Sequence, residues 1–423
     1  MFERLHEPRA YARACAGLAE SLYEGKGLSA ASQAPEILMK GLKLIEKESE
    51  SFEAASIYAI LADYYALLDR YDEANVWLAK AVAVGEKTKN FAAVAQAMLN
   101  EGSFHADSGN VEEAAPIFER ALALALDHGH NVIAAFCFLQ LAVVTYPRNL
   151  DAARDYATRM IDHGKKVGDL PGQARGLGVL WFLEWIRGEW ENAWKHLQEG
   201  MEIQDRVEFV TTSLLDGWKS WFALTRGDLD EAARYASLAL AKPDPKITDV
   251  VISNLPIALL RLEQGREREA VVHLQTCAEA FRKAEFTTLP LLHVETLMHL
   301  VVLNSKGKQL DKAATNLEWA KHLATQLKSD AGLAMASQAE AALIVAKGDV
   351  RLAEEAFLKS LALWEKANWP YYRAKALVAY SEALAQTNTE ESKKHLRQAA
   401  EIFKKLGAKR DLEKAETKLS AQA

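Results

Sequence analysis

The sequence predicts an all-α fold, a solenoid of about ten helix–turn–helix units, and three observations carry that prediction. The first is a single unit, residues 109–127, GNVEEAAPIFERALALALD. Its small and apolar positions Ala114, Ile117, Phe118, Ala121, Leu122 and Ala125 recur at i, i+3, i+4, i+7, i+8 and i+11, one face of an α-helix. Gly109 ends the helix before it, and Asn110 is placed to cap the new one. The second is recurrence. A small residue following a turn returns at Ala74, Ala114, Ala152, Ala193, Ala232, Ala270, Ala313 and Ala353, with Ser392 a weaker ninth, at intervals of 40, 38, 41, 39, 38, 43, 40 and 39 residues. The third is a second helical segment upstream of each anchor, as at 56–68, 94–107, 174–187 and 333–347. A fixed period near 40 residues built from helix pairs is a solenoid. One pair cannot bury its own apolar face, whereas stacked neighbours can.

Taken in order, residues 8–23 and 33–48 read as a first helix pair joined by the loop 24–32. This pair lacks the anchor, as a capping repeat does. The GKG within its loop is not a P-loop, because it has neither the four-residue spacer nor a preceding strand. Units follow at 52–89, 91–128 and 131–167. The last of these has Pro147 where others carry a turn glycine, which stops the helix. Elsewhere glycine stands five residues before the anchor (Gly109, Gly188, Gly227, Gly265, Gly348) or six before it (Gly307). The units at 169–207 and 209–241 are the aromatic ones. The Pro-rich break KPDPK at 242–246 marks a candidate hinge over 242–248. The unit at 249–285 contains Pro256, so its first helix starts late or kinks. Units at 290–327, 331–367 and 370–406 complete the array. The polar segment 409–419, with Leu412, Ala415 and Leu419 on one face, reads as a solubilising cap. The expected organisation is one elongated domain: a capping pair (1–50), repeats (51–407) and a C-terminal cap (408–423). No segment alternates with the period of two that strands require.

Composition narrows the function classes. Half of the 423 residues are hydrophobic, ample for a continuous core, and the formal charge is −7 with acids and bases interspersed. A duplex nucleic-acid partner would want a basic stripe. The basic residues Lys404, Lys405, Lys409 and Arg410 are diluted by Glu401, Asp411 and Glu413, so no direct nucleic-acid contact is expected. Cys15, Cys137 and Cys277 are odd in number and far apart, which fits reduced thiols in a cytoplasmic protein. The N-terminus has no signal-peptide pattern. The most apolar segment, 132–144, is too short to span a bilayer and contains Gln140, so no membrane role is expected.

Catalytic constellations are missing from the sequence. It carries no GxSxG, HExxH or GxxxxGK[ST]. His128 and His130 flank a loop glycine, and His293 and His299 lie six apart, off the same-face helical spacing; neither pair supplies a zinc site. The expectation is a non-enzymatic protein without a cofactor or metal.

The unit resembles the tetratricopeptide (TPR) repeat. In that family the first helix (A) carries a small residue near its middle and the second (B) opens on a Gly-x-[aromatic or aliphatic]-x-x-Ala motif. Gly102 and the stretch NEGSFHADSGNVEEA carry both features. The period exceeds that of the standard repeat and is similar to the C-terminal sensor arrays of signal-transducing ATPases and of maltotriose-responsive LuxR-family activators. The stretch 399–415, AAEIFKKLGAKRDLEKA, resembles the end of such arrays. The resemblance implies a right-handed superhelix whose A helices line a concave groove.

One cluster stands out against this background. Six of the ten tryptophans lie between 181 and 221: Trp181, Trp185, Trp190, Trp194, Trp218 and Trp221, accompanied by Phe182, Phe209 and Phe222. Counted from the anchors, the resemblance places Phe182, Trp185 and Trp221 on the groove wall and Trp181 at the A–B junction. Trp218 shares the height of Trp221. By the same count Arg175, Asp63, Asp107 and Glu263 face the groove, while Trp190 and Trp194 belong to B helices. Aromatic walls suit sugar faces, planar rings and apolar side chains. Two functional readings follow. One is a regulatory module that binds a protein or peptide in the concave groove. The other is a small-molecule sensor, its ligand held by Trp185, Trp221, Phe182, Trp218 and Arg175. The plain alternative is that the rings fill wide gaps between helices.

Overall fold

The structure, a computed structural model, describes residues 7–26, 33–67, 70–107, 109–204, 206, 212–241, 247–283 and 290–422. The break at 242–246 and most of the loop at 24–32 lie outside the described residues, as does Phe209. Among the described residues there are 21 α-helices and no strands. They form ten pairs plus a final helix. The first pair is α1 (Pro8–Lys26) and α2 (Ala34–Leu44). Then come α3 (Phe52–Leu67) and α4 (Tyr71–Thr88), α5 (Phe91–Asp107) and α6 (Val111–Asp127), and α7 (Asn131–Thr145) and α8 (Leu150–Val167). The aromatic pairs are α9 (Leu170–Arg187) with α10 (Trp190–Gln204) and α11 (Thr212–Arg226) with α12 (Leu229–Leu240). The array continues with α13 (Ile247–Glu263) and α14 (Glu267–Lys283), α15 (Pro290–Lys306) and α16 (Leu310–Leu327), and α17 (Asp330–Ala346) and α18 (Val350–Ala367). It ends with α19 (Pro370–Leu384) and α20 (Thr389–Leu406), capped by α21 (Lys409–Ala421). We number the pairs as repeats 1 to 10.

The anchor is the fourth residue of every B helix from repeat 2 onward. Ala74, Ala114, Ala193, Ala232, Ala270, Ala313, Ala353 and Ser392 have no exposed surface. Each donates its backbone N–H to the residue four before it, closing the first helical turn. A side chain larger than a methyl or hydroxymethyl group would push helices A and B apart here. Repeat 4 corrects the alignment by one residue. Ala153, fully buried and bonded to the carbonyl of Asn149, holds the position; Ala152 is half-buried beside it. The two irregular intervals flanking it then become 39 and 40 residues.

Helix ends follow the local sequence with three departures. Asn149, Asp228, Asp349 and Asn388 each accept a backbone N–H three residues on, as N-caps do. Asn110 holds the N-cap position without a side-chain cap bond, contrary to expectation. In repeat 8 the left-handed turn residue is Lys308 rather than Gly307. Helix α13 runs unbroken through Pro256 from Ile247, so it starts early rather than late.

The A helices of successive repeats pack on one another, as α3 on α5, α11 on α13 and α15 on α17, and no B helix approaches the next B helix as closely. The A helices therefore lie on the inside of the curve. In the first repeats the core is divided into separate clusters. From Tyr146 onward one large cluster reaches as far as Ala415, with smaller satellite clusters beside it.

That large cluster reflects a closure absent from a simple array. The turn between α7 and α8 meets the loop between α16 and α17: Arg148 Nε donates to the Leu327 carbonyl (3.0 Å), and Ser329 Oγ donates to the Pro147 carbonyl (2.7 Å). These partners lie 179 and 182 residues apart, about four and a half repeats. One repeat on, the turn at Gly188 lies against Pro370 and Leu406, and the turn at Gly227 against Arg410. The superhelix completes a turn and seats its C-terminal repeats on the edge of repeats 4 to 7.

The corrected anchor is testable. Ala153→Leu should cost about 1–3 kcal/mol by overpacking, and Ala152→Leu should be close to neutral. Urea unfolding followed by circular dichroism distinguishes them; equal losses would return the anchor to Ala152.

Candidate functional site

The inner face of repeats 2 to 6 carries a row of half-buried polar and aromatic side chains. It begins with Asp63 on α3. Gln96 on α5 donates through Nε2 to Asp63 Oδ2 and to Asn100 Oδ1, each at 3.2 Å. Asn100 is buried, and its Nδ2 has no hydrogen-bond partner. Burial pushes the Asp63 carboxyl up to about 7; the neighbouring amides of Asn100 and Gln96 oppose the shift, and the negative field of Glu20 adds to it. Further along, the Arg175 guanidinium of α9 lies 4.6 Å over the ring of Phe136 on α7. Phe182 meets Tyr146 edge-on at 5.5 Å and stacks with Trp218 of α11 at 6.3 Å. Phe182, Trp218 and Arg175 all keep part of their surface open.

The expected open aromatic wall is corrected at two of its members. Trp185 is 1% exposed and Trp221 is 3% exposed. Their rings meet at 5.6 Å, and Trp185 stacks with Trp181 at 6.2 Å. The remaining side of Trp185 is covered by Tyr371 and Tyr372 of α19, at 6.4 and 6.0 Å. Its Nε1 donates to Thr225 Oγ1 at 3.4 Å. The closing turn of the superhelix has brought repeat 10 against the groove wall of repeat 5. Truncating Trp185 is therefore a core deletion, worth about 3–5 kcal/mol, rather than a clean removal of a contact surface. Trp181 is buried in the same stack. Trp190, on a B helix, packs on Tyr371 at 5.6 Å, and Trp194 stacks on Phe222 at 5.2 Å.

Glu263 is likewise relocated. It does not line an open groove. Its Oε2 accepts from Arg410 Nε at 2.9 Å and from Lys414 Nζ, and Lys375 lies 4.0 Å from Oε1. Burial raises its pKa, but Lys375, Lys414 and Arg410 together hold it below the usual carboxylate range. The Asp107 side chain lies outside the described residues. Sequence reasoning missed Tyr146, Glu295, Tyr371 and Tyr372, which converge on the same interior; Tyr372 donates its hydroxyl to Glu295 at 3.1 Å. The stretch Trp369, Pro370, Tyr371, Tyr372 was a local aromatic signal, but nothing local states what it faces. Among the described residues no group of three or more potential metal ligands comes together, and no helix is long and apolar enough to cross a membrane.

The Asp63 environment has a pH signature. A carboxyl whose pKa is raised by folding contributes stability that is lost as pH climbs from its unfolded value of 3.8 towards 7. Asp63→Asn should therefore melt higher than the parent chain at pH 8, with the gap closing towards pH 4. A melting difference independent of pH would show that Asp63 is not buried in this way.

The tetratricopeptide-repeat family model matches residues 95–128, which span α5 and α6. No curated protein matches in sequence. Among solved structures, the apo form of RapI is 16% identical over 64% of this chain and 98% of its own, with a TM-score of 0.49. The human IFIT1 dimer with m7Gppp-AAAA is 14% identical over 98% and 95%, with a TM-score of 0.49. Yeast Tom70 is 14% identical over 97% of both chains, with a TM-score of 0.34. With one repeat matched in sequence and the same helix–turn–helix unit recurring in ten pairs, the chain is a tetratricopeptide-repeat-like α-solenoid.

Proposed function

We propose that this chain is a non-enzymatic regulatory scaffold that binds a protein or peptide segment along the inner face of repeats 2 to 5. The observation that carries the reading is the carboxamide pair Gln96 and Asn100. A carboxamide offers a donor and an acceptor side by side, the same pair that an extended peptide backbone presents. Gln96, half-buried beside the Asp63 carboxylate, is the member of the pair that a bound segment can reach, and Asn100 holds it in place through Oδ1. Asp63 on one side and the Phe136–Arg175 pair on the other give the row a polar end and an apolar end. An elongated face of this kind suits a chain segment better than a compact ligand. The buried thiols Cys137 and Cys277, which form no disulfide, favour a reducing compartment, in keeping with a cytoplasmic module.

A second reading, a small-molecule effector site, is favoured by one observation. The Phe182–Trp218 stack keeps part of its surface open about two helical turns from Arg175, a surface for a planar or sugar-like ligand. In this reading Trp185 and Trp221 support the site from behind instead of touching the ligand.

A random peptide array probed with the full chain, followed by fluorescence anisotropy on the bound sequences, tests the first reading. Replacing Gln96 and Asn100 together by Ala should weaken binding at least about tenfold, equivalent to 1.4 kcal/mol, measured below the melting transition of both proteins. Unchanged affinity would remove the inner face of repeats 2 and 3 as the peptide site.

A further inference from the structure

We propose that the C-terminal cap α21 is a latch that holds the superhelical turn closed, with Glu263 as its ionic hub, and that releasing it uncovers the aromatic wall of repeat 5. This inference does not depend on what the inner face binds.

Beyond the Arg148 and Ser329 hydrogen bonds at its edge, the contacts across the closure fall into two kinds. The first is a compact charge cluster at the cap. Glu263 ends α13 in repeat 7, while its partners Arg410 and Lys414 lie on α21, 147 and 151 residues later. Lys375 of α19 approaches Glu263 and also donates to Asp411 Oδ1 at 3.0 Å; the Tyr371 hydroxyl donates to Asp411 Oδ2 at 2.8 Å. Two carboxylates thus bind three cations and a phenol, and the cluster ties three helices together. Glu263 is the shared member that joins repeat 7 to repeat 10 and the cap. Its side chain is 17% exposed, whereas those of Arg410, Lys414 and Lys375 are 37 to 43% exposed. Cations that wet are screened by salt over about 8–10 Å at ordinary ionic strength, so the cluster is strong in dilute buffer and weak in concentrated salt.

The second kind is the seam that the cluster holds shut. Tyr371 lies between Trp190 and Asp411, and Tyr372 between Trp185 and Glu295. One residue, Tyr371, therefore belongs to both the ionic and the aromatic parts. Moving α21 away from Glu263 draws α19 with it and takes the cover off Trp185 and Trp190. The turns at Gly188 and Gly227 permit the seat. A Cβ at Gly188 would stand 2.6 Å from Leu406 Cδ2, and one at Gly227 would stand 2.9 Å from Arg410 Cβ. At these two turns the glycine side of the seam carries no side chain, so the later layer sits directly on backbone there.

The test uses the full chain and needs no ligand. Small-angle scattering gives its overall dimension, and acrylamide quenching of tryptophan emission reports the seam. Glu263→Arg sets a cation against Arg410, Lys414 and Lys375. It should enlarge the particle and increase quenching with helical content unchanged, and 1 M salt should move the parent chain the same way. If Glu263→Arg costs helical content, the charge exchange Glu263→Arg with Arg410→Glu and Lys414→Glu decides. Recovery of the compact, protected form supports the latch, and failure to recover it overturns the latch. Unchanged dimension and quenching in Glu263→Arg also overturn it.

Discussion

A methyl or hydroxymethyl group is the widest side chain that the junction of helices A and B admits at the fourth position of each B helix. That limit is met eight times by alanine and once by the serine at 392, counting Ala153 in repeat 4, and the architecture depends on it. With the two helices this close, the apolar stripe of each pair turns outward to the neighbouring pairs, and stacking becomes the only way to bury it. The helix ends serve the same geometry. Left-handed turn residues and Asx caps bring the chain back within a few residues, so the A helices align on one side and curvature follows.

Curvature then produces something that nearest-neighbour packing does not. In an open solenoid each repeat contacts only the repeats before and after it, and stability is close to a sum of local terms. Here the inner wall of repeat 5 is also the core of repeat 10, through Trp185, Tyr371 and Tyr372. Repeats 4 to 10 are thereby coupled at a distance. Repeats 1 to 3 are tied to this closed part mainly through ordinary stacking and one surface pair, Lys328 with Glu112. The molecule thus combines an open arm, whose inner face offers unspent polar groups, with a closed body, whose inner face is occupied by its own aromatic side chains.

The division between what the residues disclose and what they conceal follows the range of the interactions. The repeat, its period, the number of pairs and the cap are written in local pattern, because small anchors and turn residues act within one unit. Even the error at Ala152 is local, a one-residue ambiguity between adjacent alanines that the hydrogen bond to Asn149 resolves. The burial of Trp185 and Trp221 is of another kind. Their positions on the A helices were read in accord with an open groove, but whether that groove is open depends on superhelical pitch, the accumulated rotation of four or five units. Small changes per repeat decide whether residue 371 meets residue 185 or passes it. Glu263 shows the same limit: its helix-A position was legible, and its cationic partners nearly 150 residues later were not. The row from Asp63 through Gln96 and Asn100 to Arg175 lies between these cases. Asp63 and Arg175 sit on A helices as expected, Gln96 and Asn100 carried no sequence signal of their own, and only adjacency in space joins the four.

The offset of about four and a half repeats across the closure also constrains how this chain can change through evolution. Repeat arrays commonly lengthen or shorten by whole units, since a duplicated pair finds the same neighbours as its parent. Inserting one pair between Pro147 and Ser329 would carry the later turn past its seat and leave Gly188 and Gly227 facing the wrong partners. The closed body is therefore fixed in its number of repeats, while the arm before it is free of that register. Variation in length among descendants of this sequence is expected to concentrate before residue 146, on the side that carries the open inner face.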